Sequence, residues 1–132
     1  MHAGEGAFAD MIASNIVPIL LVSGIVTAGA VAAFLAPHAI VRVIFRSTIS
    51  ESAAVLVVRH WGLLVFLMGC LIVYAAYNPS SRVPILVAAC VEKAILIALF
   101  AIGGVRWTPG MRAIAAVDGF FTVLYVAYLA GA

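Results

Sequence analysis

Charge is what this sequence has least of. Lys, Arg, Asp and Glu supply 9% of its 132 residues and hydrophobic residues 67%, where an average soluble protein carries roughly 25% charged residues. A soluble chain of this length could not hide so much apolar surface from water, whereas a bundle facing lipid has no need to. A net charge of +2, with no long basic run, gives no footing for nucleic acid as a partner. Also missing are a linker, a low-complexity tract, an internal repeat, a phosphate-binding glycine loop and a nucleophile motif. The two cysteines, Cys70 and Cys90, lie in separate apolar runs with no C-x-x-C pair. They read as free thiols acting as small hydrophobes rather than as a redox pair. His2, His38 and His60 are scattered without the paired spacing that metal-binding helices use, so neither a metal nor a cofactor is expected. Met1–Asp10 holds Glu5 and Asp10 but no Lys or Arg. A secretory signal would want positive charge there, so the first apolar run is expected to remain as a span.

What is present is four apolar runs. A helix needs about 20 residues to cross a hydrocarbon core, and the runs 12–36, 53–77, 83–102 and 111–130 each meet that length. They end at Pro37, at Asn78-Pro79, at Gly103-Gly104 and near the chain end. Helix is the default because every backbone polar group must be satisfied within the segment in lipid. The expectation is a single all-α domain over 1–132, an integral membrane four-helix bundle with both termini on one side. Pro18 falls in the first turns of its span, where a missing N–H costs least. Gly24, Ala28 and Ala32, with Gly29 and Ala33 beside them, form a small-residue ladder that lets helices approach closely.

Arginine placement suggests the orientation. Arg42, Arg46, Arg106 and Arg112 follow spans one and three, while the opposite side has Arg82 alone. That puts both termini outside, periplasmic for a bacterial inner membrane. The longest connection, His38–Ser52, places Arg42 and Arg46 four apart on one helix face among Ile40, Val41, Val43, Ile44 and Phe45. It reads either as an interfacial helix lying among the head groups or as a plain loop.

The informative residues are charges inside the spans: Arg59 and His60 in span two, Glu92 and Lys93 in span three, Asp118 in span four. Each Arg, Lys or Asp at a helix centre costs about 2.5–3.5 kcal/mol on insertion scales. At 1.5 Å rise per residue, Arg59 and Asp118 lie roughly 9–10 Å from the cytoplasmic edge and Glu92 roughly 16 Å from it. Thr27 of span one reaches the same layer. The signs balance, as a low-dielectric interior requires. This predicts an Arg59–Glu92 or Arg59–Asp118 pair, with His60 or Lys93 nearby. Neighbouring residues point about 100° apart, so one of each adjacent pair should face inward, with Lys93 the one expected to snorkel or sit between helices. The inward face of span two then runs through Gly62, Phe66, Gly69, Cys70, Val73 and Tyr77. That of span three runs through Ile85, Ala88 and Leu96, and that of span four through Thr122, Tyr125 and Leu129. Glycines and alanines beside aromatics leave room for a cavity above the charged layer. Tyr74, Tyr77, Tyr125, Tyr128 and Trp107 read equally as interfacial anchors.

The stretches Arg59-His60-Trp61-Gly62-Leu63-Leu64, Tyr74-Ala75-Ala76-Tyr77-Asn78-Pro79, Arg82 and Ala88-Ala89-Cys90-Val91-Glu92-Lys93 together resemble the BphX-like family. They are also similar to the wider DoxX-like set of small four-helix bacterial membrane proteins. The resemblance covers the middle third of the chain. It implies a four-helix bundle and carries over no catalytic residue.

Three functions are compatible with these features. The first is a pocket for a small hydrophobic or amphipathic ligand, built from Arg59, His60, Glu92, Lys93, Asp118 and Tyr125. The second is a homo-oligomer or an accessory subunit of a larger, redox-linked membrane complex, associating through the small-residue face of span one. The third is an enzyme on a lipid-soluble substrate with Glu92, Asp118 and His60 as acid and base, although no reaction-specific motif accompanies them. The charges serve equally as a salt-bridge layer that sets helix register and does nothing else. Ion passage would need a ring of like residues, which one copy does not offer.

Overall fold

A computed structural model describes residues 3–131; His2 lies outside the described residues. The described residues are all-helical: α1 Ala3–Ser14, α2 Ile16–Ala28, α3 Val31–Leu35, α4 Pro37–Phe45, α5 Ser52–Tyr77, α6 Arg82–Ile102 and α7 Pro109–Gly131, with a 3₁₀ helix at Pro79–Ser81. Four segments are long and apolar enough to cross a membrane: Ile16–Leu35, Ser52–Tyr77, Pro79–Ile102 and Pro109–Gly131. The outward faces carry Ile25, Leu56, Val57, Val123 and Ile102, each more than half exposed. That pattern suits a multi-pass membrane protein, because lipid solvates such side chains at no cost.

The first span differs from the run 12–36. Helix begins well before it, in α1, and the break falls at Asn15. Pro18 cannot donate to the Ser14 carbonyl. The Ser14 and Asn15 side chains donate instead to the Asp10 and Met11 carbonyls, a back-bonding that bends helices. A second interruption separates α2 from α3, where Ala30 and Ala33 N–H groups donate to the carbonyls three residues back, as in a 3₁₀ turn. The long connection is a helix for most of its length, since Pro37–Phe45 forms α4. Its Val41 is buried while Arg42 and Arg46 face out.

The small-residue ladder is used against α5. A Cβ at Gly69 would collide with Ala28 N and meet Gly24 O at 2.6 Å, and one at Gly62 would meet the Ala30 carbonyl oxygen at 2.8 Å. Backbone therefore lies on backbone along the whole α2/α3–α5 seam. At the α5–α6 turn, Arg82 donates to the Ala75 and Ala76 carbonyls at 2.9 Å each, closing the C-terminal end of α5. At this end Leu20, Ile72, Ala75, Leu86, Ala89 and Tyr125 make a dry core with essentially no exposed surface.

The opposite end is assembled differently. Phe45, Phe100 and Trp107 stack edge to face at 5.9 Å per pair. Thr108 donates to the Ile44 carbonyl and caps α7 by accepting from Met111 N–H. A Cβ at Gly110 would fall 2.7 Å from Ile44 O, so glycine lets the start of α7 rest on the end of α4. This clamp holds α4 across the bundle mouth.

Candidate functional site

The polar residues of the interior form a ladder between α2 and α7. Ser23 and Thr27 are one turn apart on α2, and Asp118 and Tyr125 are two turns apart on α7, so each pair shares a helix face. The Tyr125 hydroxyl donates to Ser23 Oγ. One step further along, Lys93 Nζ reaches Thr27 Oγ1 at 3.2 Å and Asp118 Oδ1 at 2.8 Å. Lys93 is 1% exposed and the Asp118 side chain 16%. An ammonium so enclosed persists only because its charge is matched at hydrogen-bond distance.

This differs from the expected pairing. Among the described residues the salt bridge within the spans is Lys93–Asp118, and Arg59 takes no part in it. Arg59 Nη1 donates to the Phe34 carbonyl at 3.0 Å. The helix ends before Pro37, where Ala36 leaves helical geometry (φ −138°, ψ 66°), so the Phe34 oxygen has lost its onward partner. Arg59 is thus a cap for the end of span one. Of the two places expected for Lys93 it takes the second: it sits between helices and does not snorkel, because an acid on α7 and a hydroxyl on α2 lie within its reach. The inner face of α6 carries Leu86, Ala89, Lys93 and Phe100, one residue round from the face drawn through Glu92. His60 is exposed on α5 and joins none of these groups. On the face drawn from Arg59, Gly62 and Gly69 are buried but Cys70 and Tyr77 are exposed. Tyr125 is fully buried and is no interfacial anchor.

Between the ladder and α4 the bundle holds a half-open cavity, with Val26, Gly29, Ala113 and Val117 of its lining exposed. This cavity of about 310 Å³ is walled by α2, α3, α4, α5, α6 and α7, about the lower end of the ~300–1,000 Å³ range of ligand pockets. Its walls are aliphatic, with Ala32 and Ala33, Ile40 and Ile44, and Ala113 and Val117 on three sides. Its polar lining is Thr27, Glu92, Lys93 and Asp118. Both members of the Glu92-Lys93 pair therefore reach the cavity, which is wider than a single helix face. Small residues make the space: Ala30, Ala32 and Ala33 stand where larger side chains would fill it.

Glu92 is set apart from the others. Its Oε2 is buried and has no hydrogen-bond partner, although buried polar atoms are ordinarily satisfied. It also borders a second hollow of about 440 Å³ between α5 and α6, with Trp61, Leu64 and Met68 on one wall and Ile95 and Leu99 on the other. Trp61, Val65, Glu92 and Leu96 line both spaces.

Of the six residues singled out in the sequence, the cavity gathers Glu92, Lys93 and Asp118. Tyr125 stands behind them against the dry core, and Arg59 and His60 lie elsewhere. Ser23 and Trp61 were missed as parts of the site. Ser23 lies one turn from Thr27, and Trp61, Val65 and Met68 follow i, i+4, i+7 spacing; either pattern would have shown them.

Fold and site define a multi-pass helical membrane protein with an ion-paired polar cluster beside a half-open cavity. Comparison of the chain with family models, curated proteins and solved structures finds no match.

Proposed function

We propose that this protein binds a small hydrophobic or amphipathic molecule in the cavity, with Glu92, Lys93, Asp118 and Thr27 as its polar floor. One observation carries the reading: an aliphatic cavity of ligand size ends on a buried carboxylate oxygen that has no hydrogen-bond partner among the described residues. A salt-bridge layer serving only register would need no cavity beside it and no third ionisable group. The test is native mass spectrometry of the detergent-solubilised protein with 1-decanol. One bound molecule per chain is expected, lost in Ala113→Phe, which fills the cavity, and retained in His60→Ala on the outer face. Adducts of equal number in all three proteins would overturn the reading.

The setting in the membrane belongs to the same proposal. The mouth capped by α4 faces the cytoplasm of a bacterial inner membrane, with both termini periplasmic and α4 lying at the interface. In support, Arg42, Arg46, Arg106 and Arg112 are all exposed near the Phe45–Phe100–Trp107 clamp, as the positive-inside rule favours. Kinship with the BphX-like and DoxX-like bundles is likewise proposed, on the motifs around Arg59 and Glu92.

A further inference from the structure

The groove between α5 and α6 gives the cavity a side door. The two helices are pinned together at their turn by Arg82 and by the packing of Ile72 and Ala75 on Leu86 and Ala89. Beyond that core they are separated by the groove. Its rim residues Leu64, Ile95 and Leu99 are each about half exposed, so the groove lies on the lipid-facing side. It meets the cavity at Trp61 and Glu92, which belong to both.

The charge at that junction is one-sided. The ionisable groups lining the cavity are Glu92, Lys93 and Asp118. Lys93 and Asp118 cancel each other at 2.8 Å, and no arginine lines either hollow. Among the described residues Glu92 is therefore the lining acid left without an ionic partner, and a positive charge on the ligand would hold its carboxylate ionised and leave the lining neutral. An indole beside a carboxylate is the surrounding that recognises an organic ammonium, through the ring quadrupole and the opposite charge together. A metal ion would find too few oxygen ligands here, and the aliphatic walls would leave it bare.

Resting on the ligand-binding reading above, we propose that the ligand is a lipophilic cation, an alkylammonium that enters sideways from the bilayer. Its head lies between Glu92 and Trp61, and its chain lies along the α5–α6 groove or in the cavity. Leu64, Met68, Ile95 and Leu99 supply the apolar contact for the chain, and the lateral route spares the charged head a passage through the packed Arg82 end.

The test uses the full chain in phosphatidylcholine nanodiscs, with the Trp107→Phe background leaving Trp61 as the fluorescent reporter and empty nanodiscs subtracted. n-Decyltrimethylammonium and 1-decanol are titrated as a cationic and a neutral chain of one length. The proposal expects saturable binding of the cation about tenfold tighter than of the alcohol. Glu92→Gln abolishes that preference and leaves decanol binding within about twofold of its starting value, which also proves the variant folded. Equal affinities that Glu92→Gln does not change would overturn the cation while leaving the cavity reading intact. Saturation by neither compound would overturn both. Should Glu92→Gln lose both ligands, the wild-type comparison decides: a preference for the cation supports the proposal and parity overturns it.

Discussion

Lys93 Nζ lies 2.8 Å from Asp118 Oδ1, and this pairing sets the chemistry of the interior because it leaves Glu92, the adjacent residue, without an ionic partner. The lysine takes the acid on α7 and the hydroxyl of Thr27 on α2, tying three spans at one depth. The dry core lies on one side of this tie and the cavity on the other.

Breaking the tie from one side is expected to cost most. Lys93→Met leaves Asp118 enclosed without its counter-charge, a change that destabilises by about 3–5 kcal/mol in buried pairs. The double variant Lys93→Met/Asp118→Leu removes both charges and should be more stable than either single one. Thermal unfolding of the three proteins in one detergent checks the order.

The Tyr125–Ser23 bond should be worth less. Interhelical hydrogen bonds in membrane proteins average about 0.6 kcal/mol and reach about 1.7 kcal/mol. A double-mutant cycle with Tyr125→Phe and Ser23→Ala should give a coupling in that range, measured by denaturant unfolding.

The α2–α5 seam should refuse a single methyl group. Gly69→Ala drives a Cβ into the Ala28 backbone, where no side chain can yield, and must push the helices apart. Gly119→Ala meets only Ile97 Cδ1 at 4.0 Å and should be neutral or mildly stabilising, since alanine is the better helix former. Comparing the melting temperatures of the two variants tests the seam.

Arg59 and Arg82 are expected to act as caps and not as ligand residues. Arg59→Met frees the Phe34 carbonyl, and Arg82→Met frees those of Ala75 and Ala76. Charge-assisted bonds of this kind contribute about 1.5–3 kcal/mol. Hydrogen exchange should speed up in α3 for the first variant and at the C-terminal end of α5 for the second, with 1-decanol binding retained in both.

The spans were legible because their terminators act locally. Proline at 37 and 79 and glycine at 103 and 104 end helices through their own backbone chemistry, and α3, α5 and α6 stop at Leu35, Tyr77 and Ile102. Depth was legible in part: a fixed rise per residue put Arg59, Glu92, Asp118 and Thr27 near one layer, and Asp118 and Thr27 do meet there on Lys93 while Arg59 bonds the Phe34 carbonyl instead. Azimuth was not. A step of 100° separates Glu92 from Lys93 and Arg59 from His60, and apolar residues surround all four, so no amphipathic stripe says which one turns inward. The choice is made by tertiary partners, Asp118 and Thr27 for Lys93 and the freed Phe34 carbonyl for Arg59. The helical stretch before Asn15 escaped notice because its polar residues ended the apolar run without ending the helix.

The most direct test is a high-resolution structure of the protein extracted with its surrounding bilayer, read at Glu92. The account predicts α5 and α6 parted beside Trp61, with elongated density running from the lipid side to the Glu92 carboxylate and Lys93 still bound to Asp118. Helices α5 and α6 closed on each other, with Glu92 paired to Arg59 or Lys93 and the cavity filled by side chains, would contradict it.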